Sequence, residues 1–191
     1  MNDIIQHNIR ELQHAITVSK MNYEIWWVYK EKESRKRYVD TLNIYPAFFK
    51  MSLHAHFVAM IVALYRLYET RKDTINLPQL LKLIKDAGLI PQQELKSIET
   101  DINKIKPLWK KVAVLRNNMF GHRSKTLEFS DVWKQAQVTP KQFKQLIDES
   151  KNILNRITSL QNRSTHLFNL TSTKDTLKLL EDLKRLNQKK L

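Results

Sequence analysis

The chain holds 2 glycines and 5 prolines among its 191 residues. This scarcity of turn formers restricts its fold more than any other feature. Tight hairpins depend on residues that accept a positive or a fixed φ, chiefly glycine, asparagine and proline. A sheet-rich domain of this length would need many of them, so long helices with few reversals are expected. The hydrophobic share of 42% and the charged share of 27% suit a globular chain. The length suits one domain with a small appendage.

Apolar spacing carries the same message. Ile5, Ile9, Leu12 and Ile16 share one helical face. They predict a first helix from about Asp3 to Tyr29, thickened by Tyr23, Trp26, Trp27 and Tyr29. "KEKESRKRY", residues 30–38, mixes both signs of charge and reads as a solvated helix end or connection. A second helix is expected from just after Pro46 to about Thr70, with Phe49, Leu53, Phe57, Met60, Leu64 and Leu67 buried. His54 and His56 flank that stripe on different sides; they make a poor metal pair and read as structural.

Leu77 to Ala87 forms a short helix on this reading, with Pro78 in its first turn and Gly88 at its C-terminal cap. Pro91 opens the next helix, and Leu95, Ile98, Ile102, Ile105, Val112, Leu115 and Met119 face its core. Pro107 should kink or divide that helix, and Gly121 should end it. A loop holding Phe129 and Trp133 is expected from Arg123 to Val138. Thr139 then caps a helix with Pro140 at its first position. The expected organisation is a helical bundle over residues 1–160, a polar linker over 161–173 and a C-terminal amphipathic helix over 174–191.

There is no cysteine, which excludes disulfides and thiolate metal sites. No glycine-rich phosphate loop and no metal-ligand spacing stand out, so no cofactor or metal is implied. The N-terminus has charges where a secretory signal needs an apolar stretch, and no run approaches the roughly 18 apolar residues of a membrane span. A cytoplasmic chain without a membrane partner is the expectation. Net charge is more telling: 33 Lys plus Arg against 19 Asp plus Glu give +14, with an isoelectric point near 9.9. Such a surface favours a polyanion, because binding releases condensed counterions. Nucleic acid is the natural candidate; the alternative is a lysine-rich composition that merely keeps the protein soluble.

"LRNNMFGHR", Leu115 to Arg123, concentrates the chemistry. On a helical wheel Arg116 lies about 60° from the centre of the apolar face. Its guanidinium is therefore not wholly in water and needs an anionic partner, from protein or from ligand. Histidine titrates near neutral pH and can move protons. Arginine stays charged and can grip two phosphate oxygens. Asn117 can orient either a phosphate or the imidazole. One Arg and one His make an incomplete acid–base set, which a second copy across a twofold axis would complete. The alternative is a helix end whose histidine serves only as a partner for the helix dipole.

"RNNMFGH" matches the RNxxxxH form of the Arg-x4-6-His signature of HEPN domains. Residues 24–84 resemble the abortive-infection AbiU-type branch of that superfamily: an aromatic first helix, the "FF" helix, "LYRLYE" and a short leucine-rich helix. The likeness runs from about Tyr23 to Ile157. It implies an all-α fold, a HEPN-like antiparallel helical bundle with long N-terminal helices and a C-terminal accessory helix, usually dimeric. It further implies a metal-independent endoribonuclease of a toxin–antitoxin or abortive-infection system, with an antitoxin protein as a further partner. Arg116 and His122 would be catalytic, with Asn117 supporting them. Their neighbours Asn118, Arg123 and Lys125 would contact RNA. Ser124 stands where many such toxins carry a tyrosine, so regulation through that tyrosine is not implied. The other reading within the family is a non-catalytic module that binds RNA or a partner protein.

Overall fold

The computed structural model describes residues 2–121 and 129–188. Among them are eight α-helices and no strand: α1 (Asn2–Lys30), α2 (Lys32–Ile44), α3 (Pro46–Arg66), α4 (Leu77–Asp86), α5 (Gln92–Leu115), α6 (Phe129–Ala136), α7 (Pro140–Asn162) and α8 (Thr173–Gln188). A π-helical turn, Arg116–Gly121, continues α5. The all-α class expected from glycine scarcity is what the chain adopts.

Helix α1 is the spine, packing against α3 and α7, and α7 in turn packs against α5. Ile5, Leu12 and Ile16 of α1 meet Met60, Ile61 and Leu64 of α3, all fully buried. Rings close the middle of this core: Trp26 meets Phe143 edge-on at 5.9 Å, and Trp133 stacks on Phe57 at 5.3 Å. Such pairs add about 0.5–1.5 kcal/mol each beyond simple burial. A second cluster joins Val28, Tyr29, Tyr38 and Phe49 to Leu180 of α8. Helix α8 thus lies against α1 and α2. Glu24 anchors its entry, accepting from Ser172 N at 2.7 Å and Thr171 Oγ1 at 2.8 Å. Burial raises the Glu24 pKa, but these bonds and Lys20 outweigh it and hold the carboxyl below its ordinary range.

Local chemistry sets the helix boundaries. Asn76 caps α4 by accepting from Gln79 N at 2.9 Å, and Gly88 leaves that helix at φ +63°. A side chain at that φ would be strained, whatever the open space around it. Thr139 and Gln142 form a reciprocal capping box at the start of α7, with Pro140 in its first turn.

Four expectations change. Residues 30–38 are not a connection. Glu31 breaks α1 for a single residue and caps α2 through Ser34 N at 2.8 Å. The dense charge hides how little α2 buries, chiefly Tyr38 and Thr41. Pro107 does not divide α5; it lies exposed on the outer side, where water can serve the carbonyl it leaves unpaired. The loop expected over 123–138 contains α6. Residues 129, 132, 133 and 136 recur at helical spacing, and Val132 and Ala136 are buried. Helix α3 stops at Arg66, not Thr70, although Leu67 and Tyr68 stay buried beyond it. By length and mean hydropathy α3 also passes as a membrane span, which counting apolar runs overlooked. Its face of Phe49, Phe57, Met60, Ile61 and Leu64 is buried in the core, as in the central helix of a bundle.

Candidate functional site

The apolar stripe of α5 ends on Val112 and Leu115, both fully buried. The backbone then widens into the π-helical turn, which spans Arg116 to Gly121. A π-turn fits one more residue into the arc, so it shifts the side chains that follow relative to an α-helical continuation. Such turns recur at functional sites. Arg116 and Asn118 are half-buried here, and Asn117 is exposed. Met119 packs on the core and fixes the inner side of the turn.

Arg116 reaches over α3. Its Cζ lies 4.8 Å from the centroid of the Tyr65 ring. Tyr65 is held in turn by Trp109 of α5, stacked at 5.7 Å, whose Nε1 donates to the Tyr65 carbonyl at 3.0 Å. Arginine, tyrosine and tryptophan form a stack built from two helices. It directs the guanidinium by cation–π attraction, worth about 0.5–1 kcal/mol at a partly exposed site. The single polar contact of Arg116 among the described residues runs from Nη1 to Asn117 Oδ1 at 3.2 Å. No carboxylate among the described residues pairs with it.

The expectation of an anionic partner therefore finds none among these residues. Among the described residues, a quadrupole and an amide orient the charge without neutralising it. None of these residues occupies the guanidinium fork as an oxyanion would. Asn117, expected to support the site, accepts from Arg116. Asn118 lies in the same turn. His122, Arg123 and Lys125 fall outside the described residues.

Sequence reasoning missed Tyr65 and Trp109. Tyr65 is one position off the buried stripe of α3, and Trp109 fills the step between Ile105 and Val112 that the apolar series passed over. Neither spacing marks a residue whose partner is on the other helix. His56, by contrast, has an ordinary structural contact, its Nδ1 lying 2.7 Å from Asn22 Oδ1 on α1. Burial holds its pKa below the usual histidine value.

Basic surface leads toward the turn. Lys106 and Lys110 are exposed one helical turn apart on α5, and Asn117 follows near the same face. Lys106 also borders a cleft of about 410 Å³ beside α4, lined by Lys82 and Lys85, with Glu69 and Glu99 tempering its charge. Among the described residues no group of three His, Asp or Glu side chains could hold a metal ion.

The model of the HEPN AbiU2 family matches residues 5–181. The chain belongs to the AbiU2 family of HEPN domains. It is thus a HEPN-type, abortive-infection-related module, and the match includes α8 through Glu181. No curated protein and no solved structure matches the chain. Arg116, on the Tyr65–Trp109 stack, lies within the matched residues.

Proposed function

We propose that the protein is a metal-independent endoribonuclease of a toxin–antitoxin or abortive-infection defence system, acting as a homodimer on RNA. The observation that carries this reading is the half-buried Arg116 guanidinium, aimed by Tyr65 and unneutralised by any described carboxylate. The net charge of +14 and the exposed lysines of α5 support an RNA partner.

The reaction requires two proton transfers and one charge clamp. A base takes the proton of the ribose 2′-OH as its oxygen attacks phosphorus. The P–O5′ bond breaks, and an acid gives its proton to the leaving 5′-oxygen. The products are a 2′,3′-cyclic phosphate and a 5′-hydroxyl. Imidazole serves both roles near neutral pH, so His122 from each of two copies would be base and acid. Arg116 would stabilise the phosphorane oxygens, and a donor placed there contributes about 2.7–4 kcal/mol. Asn117 holds the guanidinium, while Asn118, Arg123 and Lys125 would contact the strand.

End analysis of labelled RNA, incubated with the protein in excess EDTA, tests the reading. It predicts cyclic phosphate and 5′-hydroxyl ends, and their loss in His122→Ala at an unchanged melting temperature. RNA bound but left intact would favour the non-catalytic binding module. Cleavage abolished by EDTA would overturn the metal-free mechanism.

A further inference from the structure

Helix α3 has two apolar faces, and among the described residues only one is packed in the core. Opposite the buried stripe, Phe48 is 61% exposed, Met51 62% and Val62 46%. Ala55 is exposed between them, and Val58 and Ala59 are half-buried on the same side. Residues 48, 51, 55, 58 and 62 recur at alternating steps of three and four, the 3.5-residue period of a seam that packs against another helix. No charged side chain interrupts this strip.

The strip also leads to the candidate site. At its C-terminal end Arg66 is tied to Glu11 of α1 at 3.0 Å. Tyr65 lies at its edge, under the Arg116 guanidinium. Ile44, 51% exposed, and Tyr45, 40% exposed, extend the apolar surface around the α2–α3 corner.

We infer that this outer face of α3 is the homodimer seam, pairing in parallel with the same face of a second copy. The inference rests on the reading of the Arg116 turn as half of a composite site. Three observations select a second copy as the occupant. The 3–4 spacing is self-complementary: in a parallel pair each of these residues meets its own counterpart. The strip with its corner exposes on the order of 600 Å² of apolar surface per chain. A pair would bury roughly twice that, the lower end of the range for specific dimers. Two chains of net charge +14 approach best along a surface that carries no charge of its own.

Orientation follows from helix geometry. At 1.5 Å per residue, an antiparallel pair crossing at Ala55 would set the two Tyr65 rings about 30 Å apart along the axis. One phosphodiester could not then meet both Arg116 groups. A parallel pair sets the two Tyr65–Arg116 stacks at the same level, on either side of the twofold axis.

The chain contains no cysteine, so single-cysteine variants report on the seam without background. Ala55→Cys and Val62→Cys should both give disulfide-linked dimers on mild oxidation, whereas the exposed control Lys178→Cys should not. Met51→Glu, at an exposed position, should fold normally by melting, become monomeric by sedimentation and lose RNA cleavage at least tenfold. Crosslinking at one seam position only would overturn the parallel arrangement. A wild-type dimer that crosslinks at neither position and tolerates Met51→Glu would overturn the seam and leave the composite site standing. Cleavage by a wild-type monomer would overturn the composite reading itself. A monomer that co-sediments with phosphatidylserine–phosphatidylcholine vesicles, and is released by Phe48→Glu, would assign the face to lipid and also overturn the seam.

Discussion

Two arginines beside α5 are both partly buried and meet opposite fates. Arg156 of α7 is gripped by two carboxylates of α5, Nη2 to Glu94 at 2.7 Å and Nη1 to Asp101 at 2.9 Å. Arg116 rests on a tyrosine ring and an asparagine amide. The first charge is neutralised within the chain and ties two helices together. The second is held in place and paired with no described carboxylate. Partial burial of a guanidinium is therefore not by itself a sign of function; what surrounds the charge decides.

Substitutions can break this contrast or sharpen it. The largest effect is expected from Arg116→Ala, which should slow RNA cleavage about 100–1,000-fold while leaving the melting temperature within a degree or so. Asn117→Asp would give Arg116 the kind of partner Arg156 already has. It should slow cleavage roughly tenfold, about 1.4 kcal/mol, without destabilising the fold. A rate equal to wild type would show that neutralising Arg116 is harmless.

Arg156→Ala should do the reverse. Each member of its ion-pair set is about one-third exposed, so the expected loss is roughly 1 kcal/mol, or about 2–4 °C in melting temperature. Cleavage per folded molecule should be unchanged. Tyr65→Leu keeps an apolar side chain but removes the ring face, and a several-fold slowing is expected from the lost cation–π attraction. Tyr65→Phe should retain the rate, which would separate the ring from its hydroxyl.

The smallest effect concerns pH. His56 has a folded pKa below its unfolded value, through burial. Its contribution to stability is thus present above about pH 6.5 and declines as pH falls through that value. Between pH 7 and 5.5, His56→Gln should flatten the fall in melting temperature. The depressed carboxylates Glu24 and Asp148 act in the same direction, but only at lower pH.

How far the sequence announced all this varied with the range of the interactions. The start of α7 and both ends of α4 were legible because a cap, a proline and a glycine act within four residues of themselves. The position of Arg116 beside an apolar face was legible for the same reason, since it depends only on helical period. The helices α2 and α6 were not, because each is short and buries few side chains. Their charged residues dominated any window drawn over them. The Tyr65–Trp109 support was illegible in principle, because it joins positions 44 apart on two helices. That no described carboxylate pairs with Arg116, while Glu94 and Asp101 meet Arg156, is likewise a tertiary fact.

The central claim is that Arg116 meets RNA phosphate while Arg156 serves the fold. Its most direct test is the salt dependence of binding to a 2′-O-methyl RNA, which cannot be cleaved. The slope of log K against log salt is set by the number of phosphates neutralised, about 0.7 per contact for single strands. The account predicts a slope shallower by about one contact per chain in Arg116→Ala, and a slope equal to wild type in Arg156→Ala. Identical slopes in wild type and Arg116→Ala would contradict it.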